Sequence, residues 1–231
     1  MRASAKGSEV GNCSLRGYLK VAWGLSSCIS KAGLALAFPA HPGKVPPVHR
    51  QRLINQLNDY HLRHPQEKET IGAFLGFVGS QPDCFSRGLA IGHITGSAWV
   101  VSGDGLKILL THHRKLDRWL QLGGHADDDP DVLSVAMKEA EEESGLLGFS
   151  HIGTGIFDID IHPIPARKDE PGHLHYDVRY VLRANGSLDY TVSDESHDLR
   201  WVKPEEVETL TTEPSMMRMV AKWNALRATL G

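Results

Sequence analysis

The chain has 231 residues, enough for one domain with extensions and a properly buried core. Charged residues make up 23 % and hydrophobic ones 41 %, an ordinary globular balance, and a net charge of −3 argues against a nucleic-acid binder. Cys13, Cys28 and Cys84 show no CxxC or finger spacing, so reduced thiols in a cytoplasmic protein are the simplest reading. No apolar run approaches the roughly 18 residues of a membrane span, so no membrane association is expected.

Residues 1–44 are the least patterned part. Arg2, Lys6, Arg16 and Lys20 precede a mildly apolar patch from Val21 to Phe38, but Ser26, Ser27, Ser30 and Lys31 break the core that a secretory signal needs. The expectation is a poorly ordered extension, or sequence upstream of the true start, followed by a linker over Gly43–Pro47. From His49 the pattern turns helical. Leu53, Ile54, Leu57 and Tyr60 line one face, and Pro65 ends that helix and can open the next. Ile71, Phe74, Leu75 and Val78 line the second helix, closed by Gly79. Residues 45–88 are thus a helical pair, and the sequence leaves open whether it packs on the domain or covers a cleft.

His93 to Ser102 reads as a strand, Gly103-Asp104-Gly105 as a hairpin turn, and Lys107 to His112 as its partner. Trp119 to Leu122 leads into a glycine turn and an acidic loop. There Asp129 is the expected N-cap, with Pro130 at the first helical position. Val132, Val135, Ala136 and Ala140 give the next helix an apolar face, and Gly145 stops it. Beyond it, Ile156 to Ile164 reads as a strand and Arg167 to Pro171 as a charged loop. From His173 to Leu182 the residues alternate, with His173, His175, Asp177 and Arg179 on one side and Leu174, Tyr176, Val178 and Tyr180 on the other. Leu199 to Val202 is a short strand, and Pro204 opens a helical turn. Met216, Met219, Val220, Trp223 and Leu226 give the last helix a core-facing stripe.

The helix before Gly145 is a poor design for a helix alone. Glu139, Glu142 and Glu143 stand at i, i+3 and i+4, on one face and at the end where the macrodipole disfavours anions by roughly 0.3–1 kcal/mol each. Lys138 is expected off that crowded face. A hard divalent cation such as Mg²⁺ or Mn²⁺ would relieve the repulsion, since both prefer oxygen ligands.

At this point the chain resembles the Nudix hydrolases. Their box is Gly, five free positions, Glu, seven free, then Arg-Glu-aliphatic-x-Glu-Glu-x-Gly-aliphatic. Laid from Gly124, it closes without a gap on Lys138, Glu139, Ala140, Glu142, Glu143, Gly145 and Leu146. Pro130 takes the upstream Glu position, Lys138 the Arg, and Ala140 is small for its place.

The resemblance implies an α+β fold, the Nudix α/β/α sandwich with a mixed sheet, over roughly residues 89–231, with the helical pair as an N-terminal extension. It implies a pyrophosphohydrolase that attacks, with water, the diphosphate of a small-molecule nucleoside diphosphate derivative. Glu139, Glu142 and Glu143 become candidate ligands of Mg²⁺ or Mn²⁺, with the carbonyl of Gly124 adding to them. Glu142, Glu143 and Lys138 become catalytic candidates, Lys138 in the place where the family's guanidinium orients a box glutamate. Glu195, by position, is the candidate base. His173, His175, Asp177 and Arg179 are candidate substrate-binding residues, or else face solvent from an antiparallel sheet. A His/Asp zinc site there has no evident fourth ligand. A homodimer is compatible with the sequence. The rival reading is a non-catalytic Nudix-like nucleotide-binding module, motivated by Pro130 and Lys138. Isopentenyl-diphosphate isomerase shares the fold but needs a cysteine in the core span, where this chain has none.

Overall fold

A computed structural model describes residues 48–167 and 171–230. Contacts divide the chain into Met1–Lys44 and Val45–Gly231, and every described residue belongs to the second unit. The expectations for the first 44 residues, the linker, Cys13 and Cys28, and part of the charged loop lie outside the described residues.

The fold is organised around β1 (Gly92–Val101), a strand buried along its whole length. It pairs in parallel with β7 (His173–Ala184) and antiparallel with β2 (Ile108–His113) and β4 (Leu122–His125). Onto β2 are added β3 (Arg118–Leu120) and β8 (Ser196–Val202); onto β7, β5 (Phe149–Ile152) and β6 (Asp158–Ile164). One parallel pair among antiparallel ones makes the sheet mixed, as expected.

Strand alternation sorts the residues of β1 and β7 onto two faces. Ile94, Ala98 and Val100 join Val178, Tyr180 and Leu182 on the first face, under α1 (Val48–Arg63), α2 (Lys68–Ser80) and α3 (Val132–Ser144). Trp99, Val101 and Val181 lie on the second, against Met216, Met219 and Trp223 of α4 (Pro214–Arg227). Helices on both faces make the α/β/α sandwich, and each buried Val, Leu, Ile or Met among these contributes roughly 1.5–3 kcal/mol. The stripe of α4 is therefore core packing.

The helical pair packs on the sheet. Phe77 stacks on Tyr176 with ring centroids 3.8 Å apart, and Arg63 donates to the carbonyl of Ile156 at 2.9 Å. The second helix runs through Gly79 to Ser80, because Gln81 N–H still reaches the Phe77 carbonyl.

Two sequence expectations need correction. First, α3 begins after Asp131, not Asp129. Asp129 Oδ1 accepts the Asp131 N–H at 2.8 Å, an Asx turn that delays the helix, and Asp131 then accepts from Ser134 N–H. Second, β5 was not expected, for its sequence Phe-Ser-His-Ile is too short to show a clear period. The helix ends as expected, with Gly145 left-handed at φ 68° and donating to the Glu141 carbonyl.

Beneath α4, the wholly buried Asp158 accepts from Arg218 at 2.8 Å, Lys222 at 2.6 Å and Arg179 at 3.0 Å. This network ties β6, β7 and α4 together.

Candidate active site

The second face is apolar only where α4 covers it. Farther along the same strands, the positions continuing Trp99 and Val181 are Ser97, Thr95 and His93 on β1 and Arg179, Asp177, His175 and His173 on β7. This polar end opens into a cleft of about 410 Å³, within the range of small-ligand sites.

The glutamates of α3 reach the cleft past Gly123 and Gly124. Gly123 donates its N–H to Glu143 Oε1 at 2.7 Å, and a Cβ there would stand 2.7 Å from the Ser97 Cα. At Gly124 a Cβ would press into the carboxylate of Glu139. Close approach to backbone thus requires glycine at Gly123, whereas at Gly124 it leaves room for the Glu139 side chain. Glu139 and Glu142 line the cleft, while Glu143 is buried behind its wall.

Burial pushes the Glu139 carboxyl above its usual range against the pull of Lys138, and the carboxylates of Glu142, Glu195 and Asp127 add to the rise. Burial pushes Glu143 up to about 8; the Gly123 N–H opposes this, and Glu139 and Glu195 reinforce it. Lys138 was expected off the crowded face. Its Nζ instead lies 3.5 Å from Glu142, because i, i+4 residues are neighbours on a helix.

Glu195, just before β8, lines the cleft, its backbone held by Arg114 N–H at 2.9 Å. His173, His175 and Asp177 line it from β7. Arg179 does not. It is buried, with Nε 2.7 Å from Asp177 and Nη1 3.0 Å from Asp158, so its fork is spent on carboxylates of the protein. Asp177 in turn accepts from Thr95 at 2.9 Å, Ser97 at 2.7 Å and Gln121 at 3.1 Å.

Sequence reasoning missed Thr95, Ser97 and His93, though their two-residue spacing inside an apolar strand was a readable signal. It also missed Lys115 and Arg167 on the cleft rim, and the pair Arg87–Asp127 beside it. No local pattern marks those.

The family model of the NUDIX domain matches residues 93–223, more than half of the chain. The chain belongs to the NUDIX family. It is accordingly an enzyme of the Nudix hydrolase type, and its mixed-sheet sandwich is the Nudix fold. No curated protein matches the chain in sequence. Among solved structures it resembles an Ap4A hydrolase of C. elegans in a binary complex, at 16 % identity and TM-score 0.49 over 59 % of this chain and 98 % of that one. A NUDIX-family hydrolase from Clostridium perfringens matches at 24 % identity and TM-score 0.45, over 58 % and 97 % of the two chains. The Nudix hydrolase RenU of M. Smegmatis matches at 19 % and 0.46, over 61 % and 89 %. No helix among the described residues is long and apolar enough to cross a membrane.

Proposed function

We propose that this Nudix enzyme hydrolyses the diphosphate bond of a nucleoside diphosphate linked to a second group, with Mg²⁺ or Mn²⁺ held by the end of α3. The observation that carries this reading is that burial and like charge hold the carboxyls of Glu139 and Glu143 against ionisation, beside an exposed Glu142. Such a set of hard oxygen donors fits a divalent cation, and the missing side chains at Gly123 and Gly124 leave room for the carboxylates to close on it. Glu139, Glu142, Glu143 and the carbonyl of Gly124 would hold the ion. When bound, it supplies charge neutralisation at the diphosphate and acidifies the attacking water.

The protein's own groups do the rest. Lys138 holds Glu142 in place, more loosely than a forked guanidinium would. Glu195, exposed in its turn, takes the proton from water as general base. Lys115 and Arg167 on the rim attract the phosphates. His173, His175 and Asp177 form the substrate wall, and Arg179 acts only by fixing Asp177.

The test is a panel of nucleotide sugars, ADP-ribose, dinucleoside polyphosphates, coenzyme A and oxidised nucleotides, assayed for phosphate or nucleotide release with Mg²⁺ or Mn²⁺. Glu142→Gln and Glu143→Gln should lower the rate on the best substrate about a thousandfold, roughly 4 kcal/mol of barrier. Full activity in both variants overturns the assignment. Tight binding of panel members without any turnover would favour the binding-module reading.

A further inference from the structure

Apart from the carboxylates, the cleft holds a second group of donors made only of nitrogen. His93 and His175 are direct partners across β1 and β7, and His173 lies two residues before His175 on the same face. Nitrogen atoms of these three rings all lie within 4.8 Å of one another. His125 of β4 stands against His93 and His175 with ring centroids 5.0 and 5.1 Å away, and His162 of β6 is 5.5 Å from His175. Five imidazoles thus meet where the sheet face changes from apolar to polar.

We propose that His93, His173 and His175 bind a transition-metal dication of borderline softness, Zn²⁺ in the first instance, at a site separate from the glutamates of α3. The geometry is that of a ligand set. His173 Nε2 and His175 Nε2 are 3.3 Å apart. Two nitrogens each roughly 2.0–2.1 Å from a tetrahedral zinc stand about 3.3–3.4 Å apart, so this edge is already formed. The tautomer of His173 is also set. Its Nδ1 lies 3.0 Å from the Pro171 carbonyl, which can only accept, so Nδ1 carries the proton and Nε2 presents its lone pair. Paired strands carry all three ligands, which fixes their backbones relative to one another.

Nitrogen and oxygen donors select different ions: imidazoles suit zinc, whereas carboxylates and carbonyls suit Mg²⁺ and Mn²⁺. His93 is nearly inaccessible, while His173 and His175 line the cleft, so three protein ligands leave a fourth position facing it. In the proposed hydrolysis, on which only this last point rests, the substrate wall would then meet its ligand through the ion.

The experiment uses the full chain, stripped with a chelator and titrated with Co²⁺ alone, followed by visible d–d absorption. One equivalent should give the intense bands of a four-coordinate site, and Zn²⁺ should abolish them by displacement. The double substitution His173→Gln, His175→Gln should weaken binding at least about a hundredfold, while Glu142→Gln leaves the spectrum unchanged. His173→Cys should keep the site and add a near-ultraviolet thiolate-to-cobalt band, a positive sign that no loss of folding can imitate. The proposal is overturned if millimolar Co²⁺ gives no such spectrum. It is equally overturned if the spectrum survives the double histidine substitution and disappears in Glu142→Gln. Neither readout involves hydrolysis, so each stands whatever the activity assay returns.

Discussion

Asp158 beneath α4 and the pair Glu139 and Glu143 near the end of α3 are carboxylates drawn wholly or partly out of water, and the protein treats them in opposite ways. Burial alone would raise Asp158, yet Arg218, Arg179 and Lys222 outweigh it and hold the carboxyl below its usual range. At Asp160 the same contest, with His162, Arg179 and Arg218 on the winning side, ends the same way. Glu139 and Glu143 end above theirs, Glu143 with a neutral backbone N–H as its donor. A charge cluster that neutralises itself is structural. One that stays expensive to ionise either keeps its protons or takes a positive charge from outside the chain, and the second course is what makes it a candidate cation site.

The comparison breaks first, if it breaks, on stability. Asp158→Asn strands buried guanidinium and ammonium groups, and should cost about 3 kcal/mol or more in urea unfolding. Glu142→Gln relieves repulsion and should raise the stability of the chelator-treated protein slightly. Equal losses in the two variants would erase the distinction.

The two clusters should also give opposite slopes against pH in metal-free protein. Glu143 holds its proton in the folded state up to about 8, from a usual value of 4.5, so folding stability should fall as pH rises through that window. Asp158 and Asp160 are lowered from 3.8, so their stabilisation is present above that pH and is lost as pH falls below it. Melting temperature across the pH range reads both, and Glu143→Gln should flatten the slope between 4.5 and about 8 while leaving the one below 3.8.

Gly124→Ala sharpens the contrast at the candidate site. The new methyl meets the flexible end of Glu139 rather than backbone, so melting should change little while hydrolysis falls about tenfold, roughly 1.4 kcal/mol. The smallest effect is expected of Pro130→Glu. Pro130 precedes α3 by two residues, far along the helix axis from the glutamates, so stability should shift by under about 0.5 kcal/mol and the rate hardly at all. A rate increase by orders of magnitude there would mean that the altered box position limits the enzyme.

What the sequence determined alone was everything with a short period. The spacing of Val132, Val135, Ala136 and Ala140 against Glu139, Glu142 and Glu143 defines α3 and its crowded face, and Gly145 ends it, because helix geometry repeats within four residues. Alternation in β7 likewise placed His173, His175, Asp177 and Arg179 on one side. It could not say what that side faces. Arg179 is buried among aspartates of β6 and β7, and His175 opens on the cleft, because α4 covers one end of the face and stops short of the other. The meeting of His93 with His173 and His175 depends on the parallel register of β1 and β7, strands some eighty residues apart. No local pattern encodes that register; it is decided when both faces of the sheet bury their apolar residues at once.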